Sequence, residues 1–206
     1  MGSSVWLDIV GSTTTFGLLL LIALRLNAGS NESTGAYYDN YMLQTNMLTL
    51  TLMLETDLRD IGKGYNRINS DPTPIRIATP KEFSFMINGN TIDWIVGDTI
   101  EYNSQVNPHL RYIRRNVNGV EHKIDVGLTK MSFKYWNIAS ATDTLCSTVS
   151  QDSFSLIGPV DVTIQLESPY KLMQKVGLSY TQDTTLYEIY WRQIRSVARS
   201  TLIQSQ

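Results

Sequence analysis

The hydrophobic positions of this chain change period twice. From Val5 to Leu26, "VWLDIVGSTTTFGLLLLIALRL" is almost continuously apolar, interrupted by Asp8 and by the polar run Ser12-Thr13-Thr14-Thr15. About 22 helical residues measure roughly 33 Å, which matches the hydrocarbon core of a bilayer. "NAGSNESTG" (27–35) is then polar and glycine-bearing, so it reads as a weak point or a surface crossing. "AYYDNYMLQTNMLTLTLMLETDLRDIGKG" (36–64) contains no proline and carries apolar residues at helical spacing, on more than one side near its centre. Gly62 and Gly64 are natural stops for it.

From Ile75 the period shortens to two. "PIRIATP", "EFSFMING", "TIDWIVG", "DTIEYNS", "HLRYIRRN", "VEHKIDVG", "KMSFKYWN", "VDVTIQLES" and "LYEIYWRQI" alternate and are rich in β-branched and aromatic residues. Asn88-Gly89-Asn90, Gly97-Asp98 and Asn118-Gly119 supply turns between them. Such short linkers favour antiparallel neighbours. The polar stretch 138–155 reads as a long loop or an excursion. The predicted class is α+β: a hydrophobic, then amphipathic, N-terminal helix over 1–64 (or two helices in line), then an antiparallel β-sheet head over 65–206.

The apolar start has competing readings. A secretory signal needs a basic beginning and a small-residue cleavage site, and no Lys or Arg precedes Arg25. Trp6 stands where a myristoylation signal needs Ser or Thr. A retained membrane helix is therefore expected over a cleaved signal or a buried helix of a soluble protein. Asp8 is the anomaly, because an unpaired carboxylate in an apolar helix is costly. Either it sits among headgroups or caps the helix start, favoured by the dipole, or it pairs with a positive charge from a partner subunit.

Composition narrows the chemistry. A formal charge of −2 gives no basic face for nucleic acid, and 42% hydrophobic content suits a packed core. Cys146 is the single cysteine, so no intrachain disulfide forms; it reads as a partly buried small side chain in a loop. His109 and His122 read as half-exposed strand residues, conceivable cross-strand neighbours without metal-ligand spacing. There is no P-loop and no nucleophile elbow. Asp57, Asp60, Asp93, Asp98 and Glu101 are scattered without a selected pair, and "RYIRR" (111–115) reads as a solvated strand face. No enzyme, cofactor or metal is expected.

The whole layout resembles a type IV pilin-like protein, more narrowly the J-class minor pseudopilins of type II secretion and the W-type minor pilins. "MLETDLRDIGKGY" (53–65) is similar to the helix ending of those proteins, and "GDTIEYN … LRYIRRNVNG … KIDVGLTKMSFKYW … VDVTIQL" follows the order of their head strands. The resemblance covers most of the chain, in pieces that are individually weak. In that family an acidic residue stands at the fifth mature position. Processing between Ser3 and Ser4 would make Asp8 that residue, with Asp8 and Ser4 standing where glutamate and phenylalanine are usual. The resemblance then implies that Asp8 neutralises the terminal amine of a neighbouring subunit and that the Ser12–Thr15 run faces other helices.

The expected function is that of a minor pilin or pseudopilin subunit in a type IV pilus or type II secretion filament. Its assembly helix would bury Thr14, Phe16, Leu18, Leu19, Leu20, Leu21, Ile22 and Leu24 against partner helices, with Asp8 setting register. Expected partners are other pilin-like subunits and, before assembly, the bacterial inner membrane; the head would be periplasmic or extracellular. No nucleic acid or small-molecule substrate is expected. The alternatives are a single-pass anchored β domain that binds a partner without polymerising, and a helix-anchored enzyme.

Overall fold

The computed structural model describes residues 2–65, 73–100, 107, 109–139, 144–145, 148–168, 173–176, 179–182 and 188–196. One helix, α1 (Gly2–Arg59), precedes the strands. The chain divides into two compact units, Met1–Tyr41 and Met42–Gln206.

The polar stretch 27–35 is no break: α1 runs through it. No proline interrupts residues 2–59, so the ladder of backbone bonds runs on through the segment despite its composition; the Thr34 hydroxyl is satisfied along the helix by the Ser30 carbonyl at 2.8 Å. The helix ends where expected. Gly62 takes φ +76°, a conformation that side-chain-bearing residues avoid, and its amide donates to the Met86 carbonyl at 2.9 Å.

In the second unit, a seven-stranded sheet runs β1 (Ile75–Ala78), β2 (Glu82–Ile87), β3 (Asn90–Thr99), β4 (Arg111–Val117), β5 (Val120–Asn137), β6 (Ile157–Glu167) and β9 (Glu188–Ser196), with every pairing antiparallel. Two-residue hairpins at Asn88-Gly89 and Asn118-Gly119 have positive φ at both central positions, the backbone that suits strand twist. A separate hairpin, β7 (Met173–Val176) with β8 (Ser179–Gln182), lies in a stretch for which alternation gave no strand. Between β5 and β6, one 3₁₀ turn (Gln151–Leu156) and a bridge from Trp136 to Thr144 organise part of the expected loop.

Two sequence expectations fail in instructive ways. Gly97-Asp98 is not a turn: β3 runs through it to Thr99 with a register shift after Val96. Gly97 serves close packing instead, since a Cβ there would lie 2.8 Å from the Tyr112 ring. "VEHKIDVG" and "KMSFKYWN" are one strand, β5. Gly127 marks the irregularity within it, at φ +78° with the Glu167 carbonyl 2.6 Å from where a Cβ would stand. The first half of β5 pairs with β4 and the second with β6. That second half also meets the β1–β2 turn, where the Phe133 amide donates to the Pro80 carbonyl at 3.0 Å. The sheet therefore curls back on itself.

The core lies inside that curl. Phe83 stacks within 5.0–5.7 Å of Phe85, Phe133 and Tyr135, measured between ring centroids. Trp94, Ile113, Val162 and Ile164 join them, and Leu43, Leu50, Leu54 and Leu58 come from α1. Their spacings of seven, four and four place these leucines on one stripe of the helix.

Candidate functional site: an exposed apolar helix

Among the described residues of the first unit, α1 buries no apolar side chain. Phe16, Leu18, Leu19, Leu20, Leu21, Ile22 and Leu24 are all exposed, Leu21 by 63%, whereas Leu54 in the second unit is 0% exposed. An apolar surface of this extent marks a membrane or protein contact. The helix is long and apolar enough to cross a membrane.

The polar run is already satisfied along the helix itself. The hydroxyls of Ser12 and Thr13 donate to the Ile9 carbonyl, Thr14 to Val10 and Thr15 to Gly11, at 2.7–3.0 Å. Each hydroxyl spends its only proton on its own helix, so the run enters an apolar environment at little cost. Asp8 is different. It is exposed and lies six residues past the start of α1, beyond the first turn, so it does not cap the helix. No hydroxyl or cation among the described residues meets it. Ser3 and Ser4 lie within α1.

The second unit holds the most organised charged cluster among the described residues. Asp57, in the last turn of α1, is 7% exposed. Arg115 of β4 donates to it twice, Nε to Oδ2 at 2.7 Å and Nη2 to Oδ1 at 2.9 Å. The indole of Trp94 adds a third bond to Oδ2 at 2.9 Å. The Arg115 guanidinium lies 5.9 Å from the centre of the Trp94 ring, which fits their pairing across β3 and β4. Hydrogen bonding to Asp57 raises the Arg115 pKa above its ordinary value, with burial opposing. A cation here also opposes the negative end of the helix dipole. The cluster has no nucleophile or free base, so its chemistry is that of a clasp.

Arg115 therefore corrects the reading of "RYIRR" as a solvated face, because it turns to the core side with Ile113 and Val117. Arg114, on the opposite face, approaches Glu121 at 3.8 Å. The histidines are not neighbours either. His122 faces Arg115 across β4–β5, while His109 precedes β4 in a turn. Among the described residues, no three His, Cys, Asp or Glu side chains gather as a metal site would need. Cys146, Glu101 and the chain after Ser196 lie outside the described residues. A second ion pair, Asp161 with Arg192, occupies the sheet face turned away from the core, and sequence reasoning gave no sign of it.

No protein-family model matches this chain, and no curated protein or solved structure is significantly similar to it.

Proposed function

We propose that this protein is a structural subunit of a pilin-like filament, held in a membrane by its N-terminal helix and assembled by packing that helix against others. One observation carries the reading: an uninterrupted helix exposes a bilayer-length apolar surface whose hydroxyls are internally bonded and whose carboxylate, Asp8, meets no partner among the described residues. A helix meant for lipid alone gains nothing from a carboxylate within its apolar stretch. A helix meant for neighbours gains a register pin, because the carboxylate is stable only opposite a cation. The residues that bury apolar surface on assembly are Phe16, Leu18, Leu19, Leu20, Leu21, Ile22 and Leu24, each contributing on the order of 1 kcal/mol or more against a well-packed partner. The β unit then presents contacts to neighbouring heads or cargo, and no catalytic step is involved.

The test compares wild type with Asp8→Ala in membranes and in sheared surface material, with intact masses of both fractions. Asp8→Ala inserts normally and is depleted from the sheared fraction by about tenfold, the equivalent of roughly 1.4 kcal/mol. Equal incorporation of both proteins removes Asp8 from assembly. Wild type found only in membranes favours an anchored β domain that does not polymerise.

A further inference from the structure

The two edges of the sheet are built differently. β1 is four residues long, is bracketed by Pro74 and Pro80, and carries a register shift between Ile75 and Ile77. Its outer side is also covered, since the Val149 amide donates to the Ala78 carbonyl at 2.9 Å. These are the devices by which sheets prevent edge-to-edge pairing. Among the described residues β9 has none of them. It is nine residues long, has no proline, and pairs with β6 from Glu188 to Ser196 without a bulge. Among the described residues no strand covers its other side.

The β9 sequence is complementary to itself. Glu188, Tyr190, Arg192 and Ile194 alternate with Ile189 and Trp191, which pack against the core, while Tyr190 and Ile194 are exposed. We infer that β9 pairs antiparallel with β9 of a second copy of this chain, with the two-fold axis at Tyr190. That register sets Tyr190 opposite Tyr190, Ile189 opposite Trp191, and Glu188 opposite Arg192 twice. Aromatic, apolar and opposite-charge cross-strand pairs are the ones that stabilise sheets. Centring the axis on Arg192 would oppose two guanidinium groups, and centring it on Trp191 would leave Glu188 without a cation. Arg192 has a donor to give: its contacts with Asp161 use Nε and Nη2, at 2.6–3.1 Å, and leave Nη1 for a second carboxylate. The contact is isologous and closes as a dimer, joining two curled sheets through their open edges. It is independent of the N-terminal helix and of the filament reading.

Cysteine cross-linking of the full chain in detergent micelles tests the register, in a Cys146→Ser background. Tyr190→Cys places two thiols on facing strands with Cα atoms about 4.5–5.5 Å apart, within disulfide reach. Ile194→Cys places them roughly 27 Å apart, eight residues along the paired strands. Under mild oxidation Tyr190→Cys forms covalent dimers and Ile194→Cys does not. Glu188→Lys in the Tyr190→Cys chain slows cross-linking about tenfold or more. Near-UV circular dichroism verifies that each exposed-site variant is folded. Folded Tyr190→Cys that stays monomeric, or cross-linking equally fast at position 194, overturns the inference. So does a dimer by light scattering that leaves Tyr190→Cys uncrosslinked. Asp8→Ala failing to enter filaments while Tyr190→Cys still cross-links sinks neither proposal.

Discussion

Asp57→Ala is the sharpest test of how the second unit is held together. The substitution removes the acceptor of three hydrogen bonds, two from Arg115 and one from Trp94. Breaking a buried ion pair by deleting one partner costs about 3–5 kcal/mol, because the remaining charge stays desolvated. The Arg115 side chain is 21% exposed, so water recovers part of its hydration and the lower end applies, about 3 kcal/mol. For a unit of roughly 150–250 residues each kcal/mol moves the melting temperature by about 2–4 °C, giving a fall of about 6–12 °C. Thermal unfolding of the full chain in a mild detergent, followed by near-UV circular dichroism, reads it directly. Asp57→Leu combined with Arg115→Met removes both charges at similar volume and recovers more than half of the loss. A loss below about 1 kcal/mol for Asp57→Ala would refute the clasp. A double variant as unstable as the sum of its single changes would refute the coupling on which that estimate rests.

Three other outcomes follow from the same packing. Leu54→Ala empties a fully buried position on α1 and costs about 2–5 kcal/mol, whereas Leu52→Ala, on the exposed side of the same turn, stays within about 0.5 kcal/mol. Gly127→Ala forces a methyl group against the Glu167 carbonyl at positive φ and costs about 1–3 kcal/mol, measured by the same melts. Burial raises the Tyr135 phenol pKa above its ordinary 10.0. The folded protein therefore keeps a proton that the unfolded chain releases. The resulting stability is complete below pH 10 or so and is lost as pH rises towards the folded value. Tyr135→Phe abolishes that part of the alkaline loss, visible as a shallower fall in melting temperature above pH 10, and costs about 1 kcal/mol at neutral pH through the bond to the Thr79 carbonyl.

The helix, its end at Gly62 and most strands could be read from periodicity because one face of each element is buried and the other is not. The Asn-Gly turns were legible for a local reason, the positive φ that their geometry demands. Glycines in close contact were not. Gly97 and Gly127 look like turn residues in sequence, yet their role is set by Tyr112 and by the Glu167 carbonyl, which are distant along the chain. The Arg115 clasp was half legible. Strict alternation from Ile113 through Arg115 to Val117 already places the guanidinium on the core face; its charge suggested solvent, and Asp57 decided otherwise. Asp161 carried no such signal, since its burial depends on Arg192 from a strand that joins β6 across a long connection. The exposed helix was the plainest feature, because nearly unbroken apolarity has few physical outlets.

The strand order also sets how the second unit comes apart. β2 to β5 each lie beside the strand immediately before them and close loops within short stretches of chain, whereas β6 joins β5 only after residues 138–156. β9 returns to β6 after the whole stretch between Glu167 and Glu188. Its docking closes a loop comparable to the one before β6 but gains one strand neighbour among the described residues where β6 gains two, which makes β9 the first strand to detach in partial unfolding. What its departure uncovers is β6, with Val160, Val162, Ile164 and Leu166 in alternate positions. A damaged or incompletely folded molecule would thus display a sticky apolar strand before its remaining sheet is lost. That is the kind of early signal by which chaperones and proteases sort failing proteins from sound ones.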